Sequence, residues 1–317
     1  MSRPSKVPQS LRPMLATLID APFDDPAWIF ETKWDGFRLV AKISQGKVVL
    51  YSRSGVVVSD RYKSIAHALQ TIKRDAVIDG ELVALDKNGV SRFQLLQNAL
   101  NSSSNLRYCV FDIMFLDGRD LRDVPLVERK KRLEALLPKD PHLIYSKHWP
   151  QHGTRLFKKA QKLGLEGIIA KRADSSYLSG VRSKDWLKIK TGKRQEVVIV
   201  GYTAPRRTRP RFGALVMAVR ARGEWQYVGH VGAGFSRARL EELYVRMRPL
   251  KTAMSPFPQS VKDEVATTWI KPELVAEVKF TEWTSAGEMR HPVFLGLRLD
   301  KRPKDVVLEK ELHRPGR

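Results

Sequence analysis

The pattern of predicted elements changes near residue 193, and this change constrains the fold more than any other feature of the sequence. Before it, strand-like and helix-like segments follow one another irregularly; after it, strand-like segments dominate and a single helix is predicted. A chain of 317 residues is also longer than one ordinary domain needs. We therefore predict two domains, residues 1–193 and residues 194–317.

The first part combines apolar strand-like runs with segments of helical periodicity. The strand-like runs are punctuated by Gly and Asp and cover Trp28–Thr32, Phe37–Ile43, Lys47–Ser52, Ala76–Leu85 and Tyr108–Phe115. The helix-like segments are Tyr62–Ile72, Phe93–Ala99, Pro125–Leu137 and Gly153–Leu163. Because strands and helices do not alternate regularly, this pattern predicts an α+β domain with antiparallel sheets.

The second part is dominated by strands. The strand-like runs are Glu196–Thr203, Ala214–Arg220, Trp225–Val231 and Glu273–Glu282, and the helix lies near Ser236–Met247. Several strands with one helix in about 120 residues are typical of a small β-barrel, of which the OB-fold is one candidate.

The charge of the chain indicates a polyanionic partner. There are 57 Lys and Arg against 34 Asp and Glu, a net charge of +23, and both predicted domains share the excess. Cations that neutralise phosphates release condensed counterions, so such a surface favours nucleic acid. A generally solvated cationic surface is the alternative.

Several protein classes are excluded or disfavoured. No stretch is long and apolar enough for a transmembrane helix, and the N-terminal residues lack the apolar region of a secretory signal. Cys109 is the only cysteine, which excludes a disulfide framework, and we expect it to be a small buried hydrophobe. The histidines show no metal-binding spacing. We expect a soluble intracellular protein that acts as a monomer and does not bind membranes.

The sharpest local feature is the segment Glu31–Arg38, in which Lys33 leaves a strand-like run and is followed by the turn-forming pair Asp35-Gly36. This arrangement can hold an amine at the rim of a sheet. The pattern Lys-x-Asp-Gly alone is weak, since chance produces it in roughly 5–10% of chains this long. A surface lysine beside a hairpin turn is the alternative.

Further segments carry chemistry of the same kind. Glu81 and Glu166 each lie beside apolar strand residues, and Lys188 and Lys190 share one face of a strand. Cations also gather near the C-terminus, at Arg290–Pro292 and Arg298–Lys301. Taken singly, each could be a solvated strand face or a paired buried acid. Together they describe a nucleophile, phosphate-binding cations and two carboxylates able to hold Mg²⁺. The basic run Arg129–Arg132, by contrast, is expected on the solvated face of a helix.

In order and spacing these segments resemble the motifs of the covalent nucleotidyltransferase superfamily, which includes ATP-dependent DNA ligases, RNA ligases and mRNA capping enzymes. The similarity extends over nearly the whole chain. Within the superfamily, the sequence most resembles the LigD-type ligase module of bacterial end-joining repair. The matching segments include Arg12–Ala16, Lys33–Arg38, Ser52–Gly55, Asp79–Val83, Val110–Asp112, Glu166–Lys171, Trp186–Lys190, Trp269–Pro272, Val278–Thr284 and Arg290–Lys301.

The resemblance implies that Lys33 attacks the α-phosphate of ATP to form a lysyl-AMP intermediate. An amine attacks only when it is neutral, and Lys188 and Lys190 would favour that form by charge repulsion while they neutralise phosphate charge. The remaining roles are implied by analogy. Glu31 and the backbone around Thr32 would read the adenine, and Phe111 would stack on it. Arg38 and Glu81 would contact the ribose, Arg53 would hold a phosphate, Glu166 with Glu81 would bind Mg²⁺ or Mn²⁺, and Arg298 and Lys301 would orient the pyrophosphate.

The resemblance further implies a DNA substrate and a role in repair. AMP would pass to a 5′-phosphate of nicked or broken duplex DNA, and a 3′-hydroxyl would displace it; end-joining proteins are expected partners, and the protein would associate with the nucleoid. Arg53 and a basic loop are the candidate DNA contacts. The loop carries Arg206, Arg207, Arg209 and Arg211, and a disordered surface loop is the alternative.

Three other functions stay open at this point. An RNA ligase or a capping guanylyltransferase would use the same lysine with another substrate. A basic DNA-binding module without activity would explain the charge but does not need Lys33 together with Glu166. An enzyme that forms a Schiff base on Lys33 would leave the phosphate-binding cations unexplained.

Overall fold

The computed structural model describes residues 12–99, 106–205, 210–257 and 266–309. They form two compact units, which divide between Thr191 and Gly192. Among these residues no helix is long and apolar enough to cross a membrane.

The first unit contains a five-stranded sheet that carries the Lys33 segment. The strand order is β1-β11-β10-β2-β9, with β2 antiparallel to β10 and β9, and β1 parallel to β11. The strands are β1 (Leu15–Leu18), β2 (Asp24–Thr32), β9 (His148–His152), β10 (Gly167–Arg172) and β11 (Arg182–Lys190).

One face of this sheet is apolar because its strands alternate side chains between two faces. Phe30, Ile168 and Ile189 lie on that face and pack against Leu156 and Ala160 of helix α4, Gly153–Leu163. The other face carries Trp186 together with the polar side chains of Glu31, Lys171 and Lys188.

The second sheet of this unit has six strands in the order β4-β3-β5-β6-β7, with β8 alongside β6. The strands are β3 (Phe37–Ser44), β4 (Lys47–Ser52), β5 (Ala76–Ala84), β6 (Leu106–Leu116), β7 (Arg119–Asp120) and β8 (Leu143–Tyr145). The helices that flank it are α1 (Lys63–Gln70), α2 (Phe93–Ala99) and α3 (Leu126–Leu136).

The two faces of this second sheet have different surroundings. Leu39, Ile78 and Tyr108 face a large apolar core that includes Ile65 of α1 and Leu96 of α2. A smaller cluster, with Val40, Val77 and Phe111 from this sheet and Trp186 from β11, joins it to the five-stranded sheet. The polar residues described below lie beside this junction.

The second unit is a five-stranded antiparallel sheet in the order β14-β13-β12-β15-β16. Its strands are β12 (Lys193–Thr203), β13 (Leu215–Ala221), β14 (Glu224–Val231), β15 (Thr267–Phe280) and β16 (Val293–Leu297), and helix α5 (Arg237–Met247) follows β14. A parallel bridge from Ala233 to Val293 brings the two edges of the sheet together.

The prediction of an α+β chain with mostly antiparallel sheets is confirmed, and the parallel pairs β1·β11 and β6·β8 are exceptions to it. Strand β9 escaped prediction because His148–His152 has no apolar alternation and contains Pro150, which an edge strand tolerates. Strand β15 begins six residues before the predicted start, Glu273, because Pro272 and charged neighbours obscure the strand pattern.

Candidate active site

Lys33 lies directly after the last residue of β2, at the rim of the five-stranded sheet. Its backbone N–H donates to the carbonyl of Gly167 at 3.0 Å, which extends the strand pairing by one step. The turn that follows is tight, since a Cβ on Gly36 would lie 2.0 Å from the carbonyl oxygen of Leu82. The turn therefore needs glycine, and it holds the start of the Lys33 side chain in a fixed place, as the sequence predicted.

The strand register aligns the predicted phosphate-binding cations with Lys33. Gly167 pairs with Lys190, and one step further along Ile169 lies between Glu31 on β2 and Lys188 on β11. Since these positions are two residues apart on each strand, they share the face of the sheet opposite α4. The prediction that Lys188 and Lys190 share a face is confirmed.

Glu166, which precedes β10, forms an ion pair with Lys33 between Oε2 and Nζ. The side chain of Lys33 is 19% exposed and that of Glu166 is 5% exposed. A partly exposed lysine and a buried carboxylate thus meet at the rim of the sheet. The carboxylate fixes the position of the amine, and it is within reach of the proton that this amine carries.

Glu31 is the centre of a buried polar network. Its Oε1 accepts from Nζ of Lys130 at 2.8 Å and from Nζ of Lys171 at 3.1 Å. Its Oε2 accepts from Oγ of Ser146 at 3.1 Å, and that hydroxyl accepts from Nε1 of Trp34 at 3.0 Å. Burial alone would raise the pKa of Glu31, but the two ammonium groups outweigh it and lower the pKa, so the carboxylate stays ionised.

Lys130 ties this network to the second sheet. Besides Glu31, its ammonium group donates to the carbonyl oxygens of Ser146 at 3.0 Å and Phe111 at 3.3 Å. Its side chain is fully buried, and three acceptors match its three donors. Lys130 therefore fixes the distance between Glu31 and the backbone of Phe111.

The predicted solvated position of the run Arg129–Arg132 is wrong for its first two members. Arg129 and Lys130 are both fully buried. Arg129 makes a bidentate pair with buried Asp112, at 2.8 and 2.9 Å, so its charge is matched inside the protein. Only Lys131 and Arg132 are exposed. The sequence did not predict a role for Lys130, because no local pattern distinguishes a buried lysine on α3 from an exposed one. The only available signal is that Lys130 lies close to the leucines that form the buried face of this helix.

Lys171 is the second functional residue without a role in the sequence reading. Its ammonium group lies 4.4 Å from the ring centre of Phe111 and 4.2 Å from that of Trp186. Burial lowers the pKa of Lys171 to about 8, although Glu31 opposes the shift.

Arg38 and Phe111 approach the same place from the six-stranded sheet. The guanidinium of Arg38 lies 4.6 Å from the ring centre of Phe111 and donates twice to Asp79, both at 2.6 Å. Burial would lower the pKa of Arg38, but Asp79 raises it well above its ordinary value, so the group stays charged. Glu81 lies directly opposite Arg38 in the strand pairing. The predicted ribose and adenine residues thus surround one spot between the sheets.

Phe111 also belongs to the apolar junction, where it is 7% exposed and packs edge-on against Trp186. Arg38 and Lys171 also lie against this ring, at 4.6 and 4.4 Å from its centre. The stacking of Phe111 on adenine stays a prediction. Arg53 follows β4 in a half-buried turn, and Thr32 ends β2. Cys109 is buried, as predicted, and burial raises the pKa of its thiol.

The C-terminal candidates lie in the second unit and are engaged in ion pairs. Arg298 contacts Glu277 at 2.9 Å and Asp300 at 2.8 Å, and Lys301 contacts Glu196 at 2.7 Å. Although burial opposes it, the carboxylates raise the pKa of Arg298 well above its ordinary value.

The basic loop is described only at Arg211, which pairs with Glu241 at 2.6 Å and lies 5.3 Å from the ring centre of Tyr244. Arg206, Arg207 and Arg209 lie outside the described residues.

Comparison with known families places these features in context. The family model "ATP dependent DNA ligase domain" matches residues 13–190, which include Lys33, Glu166 and Lys188. The model "ATP dependent DNA ligase C terminal region" matches residues 208–301. The chain belongs to the ATP-dependent DNA ligase family.

Relatives of this ligase include longer proteins. It is 39% identical over 315 residues to the multifunctional non-homologous end joining protein LigD of Pseudomonas aeruginosa, covering 96% of this chain and 37% of that protein. It is 39% identical over 307 residues to LigD of Mycolicibacterium smegmatis, covering 95% of this chain and 40% of that protein. The chain thus spans about two fifths of the length of these relatives.

A solved structure described as mycobacterial DNA ligase D complexed with ATP and MES is 38% identical to this ligase, with a TM-score of 0.70. The match covers 94% of this chain and 98% of that one. These comparisons confirm the prediction of an ATP-dependent DNA ligase, and they do not favour an RNA ligase or a capping guanylyltransferase.

The carboxylates of this ligase fit a hard divalent cation that phosphates help to hold. In the part of the chain that the structure describes, no group of three or more His, Cys, Asp and Glu residues could hold a metal ion. Mg²⁺ does not require one, because it is usually bound by one or two carboxylates together with water and substrate phosphates. Glu166, buried beside Lys33, provides such an oxygen donor.

Proposed function

We propose that this chain seals breaks in duplex DNA that carry a 5′-phosphate and a 3′-hydroxyl, through a lysyl-AMP intermediate on Lys33. The observation that carries the proposal is the ion pair of Lys33 with Glu166 at the rim of a sheet face that also bears Lys188 and Lys190. A nucleophile, a carboxylate and two phosphate-binding cations are the groups that transfer of AMP from ATP requires.

The residues around Lys33 would recognise adenine. The ring of Phe111 would stack on the base, and the ionised carboxylate of Glu31 would accept a hydrogen bond from its 6-amino group. Guanine carries an oxygen at that position, which the carboxylate would repel. Arg38 and Glu81, opposite one another on β3 and β5, would then lie near the ribose.

Charging requires the ammonium group of Lys33 to lose a proton before its nitrogen can attack. Glu166 is the nearest carboxylate and would take up that proton. The Nζ atom then forms a bond with the α-phosphorus of ATP as the bond to pyrophosphate breaks. Lys188 and Lys190 would neutralise the charge that develops on the phosphate oxygens.

A divalent cation, Mg²⁺ or Mn²⁺, would be held by carboxylate oxygens of Glu166 and Glu81 together with the phosphates. When bound, it supplies positive charge beside the reacting phosphate. The residues of the chain supply the binding of the base, the nucleophile and the position of the proton acceptor.

We assign the two units to an adenylation domain, residues 1–193, and an OB-fold domain, residues 194–317. Five antiparallel strands, a bridge from Ala233 to Val293 and a helix after the third strand support the second assignment. Arg298 and Lys301 would orient pyrophosphate, and for this their present carboxylate partners must give way to phosphate oxygens.

AMP would next pass from Lys33 to the 5′-phosphate of the broken strand, and the 3′-hydroxyl would displace it. Arg53 and the loop with Arg206, Arg207, Arg209 and Arg211 are the proposed DNA contacts. We also propose a role in end-joining repair, with end-joining proteins as partners. The ligase would act as a monomer in the bacterial cytoplasm, at the nucleoid. The LigD relatives support it.

Nick sealing by the adenylylated protein tests this function. Protein treated with ATP and Mg²⁺, then freed of ATP, should seal a nicked DNA duplex in one turnover, and Lys188→Ala should reduce both charging and sealing. Lys184→Ala is the matched control, because Lys184 is exposed on the same strand. Charging by GTP alone, or sealing of nicked RNA but not of DNA, would contradict the proposal.

A further inference from the structure

Helix α4 carries an unusual charge pattern. Its eleven residues, Gly153–Leu163, include one arginine, three lysines and no acidic residue. Arg155, Lys158, Lys159 and Lys162 stand at positions i, i+3, i+4 and i+7, so they form one row along the helix. All four are exposed. We call this set the α4 cation row.

In the part of the chain that the structure describes, these cations have no carboxylate within ion-pair distance, although Asp24 lies in the same groove. Within residues 12–99, 106–205, 210–257 and 266–309, none of the four forms an ion pair. Other helices differ: on α3, Lys131 pairs with Glu128, and on α5, Arg246 pairs with Glu242. The α4 cation row therefore presents its charge to a partner outside the chain.

The row lines an open groove of about 500 Å³, and every residue that lines it is charged or polar. Besides the four cations these are Thr154 and Asp24. Asp24 accepts a hydrogen bond from the backbone N–H of Thr154 at 2.8 Å, which secures the first turn of the helix. A groove without aromatic or aliphatic anchors is unsuited to most protein partners, whose binding energy concentrates in such anchors.

The helix is rigidly seated, so the row has a fixed geometry. Leu156 and Ala160 pack into the apolar face of the five-stranded sheet, and a Cβ on Gly153 would lie 2.3 Å from the ring of Phe30. The row extends over about 10 Å, since each helical residue rises about 1.5 Å. DNA presents one phosphate per strand about every 3.4 Å along its axis, so a row of this length can meet about three phosphates.

We propose that the α4 cation row binds the phosphate backbone of duplex DNA at a place separate from the sealing site. Lys33 lies at the rim of the five-stranded sheet and its neighbouring cations are on the opposite face from α4, so the row and the sealing site are on different faces of that sheet. The row would hold duplex away from the break. The inference rests on the proposed function only in taking DNA as the polyanion.

Salt-dependent DNA binding by the protein without AMP on Lys33, measured in the absence of ATP, tests the proposal. The variant has Arg155, Lys158, Lys159 and Lys162 all replaced by Gln. Its plot of log affinity against log salt should lose about 0.9 in slope for each phosphate contact removed, or about 2.7 for three contacts, and its affinity at low salt should fall at least about tenfold. Self-adenylation by ATP should be unchanged.

The control removes the same charge elsewhere on the first unit, by replacing exposed Lys47, Lys73, Lys87 and Lys131 with Gln. Equal loss of affinity and slope in both variants would overturn the proposal. A variant that keeps the charge, with Arg155→Lys and the three lysines changed to Arg, should bind DNA like the wild type. If it loses binding as the Gln variant does, the row does not act through its charge and the proposal is wrong.

Site-specific crosslinking adds a readout that does not depend on affinity. Cys109 is buried, so Lys159→Cys provides a single accessible thiol for a photo-crosslinker. It should capture a long nicked duplex in the flanking region and not at the nick, whereas Lys131→Cys should capture little. Crosslinks at the nick, or equal capture at both positions, would contradict a separate site. Failure of the wild type to transfer AMP would instead refute the proposed function and leave these binding results interpretable.

Discussion

Replacing Lys130 by Met should strongly destabilise the first unit, and its neighbour provides the control. Lys130 is fully buried and pairs with Glu31, which is 2% exposed. Removing one partner of a buried pair usually costs about 3–5 kcal/mol, because the other charge stays in the interior. Lys171 still contacts Glu31, so we expect a loss at the lower end, about 3 kcal/mol in the free energy of unfolding.

Lys131→Met changes the next residue of the same helix but should cost at most about 1 kcal/mol. Its side chain is 72% exposed, and its pair with Glu128 lies in water. Urea titration followed by circular dichroism measures both variants. The double variant Glu31→Gln with Lys130→Met should lose less than the sum of the single changes, since the carboxylate that Lys130 neutralises is removed as well. Unfolding of Lys130→Met at the same urea concentration as Lys131→Met would refute the buried network.

Three further outcomes follow from the site. Glu166→Gln removes the carboxylate beside Lys33 and should slow charging with ATP about 10²-fold in single-turnover assays, and an unchanged rate would exclude Glu166 as the proton acceptor. Burial lowers the pKa of Lys171 to about 8 from 10.5, so between these pH values the unfolded chain binds more protons than the folded one. The free energy of unfolding should therefore rise with pH over this range, and Lys171→Met should lack this rise. The buried thiol of Cys109 should resist a thiol-reactive disulfide in the native protein and react with one equivalent in urea; rapid native reaction would show that the strand is open.

The sequence predicted the parts of the site that depend on local chemistry. Lys33 at a sheet rim followed from a strand-like run and an Asp-Gly turn, and the common face of Lys188 and Lys190 followed from strand alternation. Both features involve residues close together along the chain. Such features need no knowledge of which strands are neighbours.

The network around Glu31 could not be predicted in this way. Its members Lys130, Ser146 and Lys171 come from a helix, a loop and a strand that lie far apart in sequence, and only the packed sheets bring them together. The basic run Arg129–Arg132 has the composition of a solvated surface, and a buried acid from another strand, Asp112, decides otherwise. The ion pairs of Arg298 with Glu277 and of Lys301 with Glu196 likewise depend on strand register in the second unit.

The proposed mechanism depends most on Lys33, the residue that would carry AMP. Incubation with ATP and Mg²⁺, followed by intact mass measurement and peptide mapping under conditions that preserve a phosphoramidate, tests it directly. We expect a gain of one adenylyl group on the peptide that contains Lys33, and no gain in Lys33→Arg, which keeps the charge but offers no attacking amine. A mass gain in Lys33→Arg, or a label that maps to another lysine such as Lys171, would contradict the central claim.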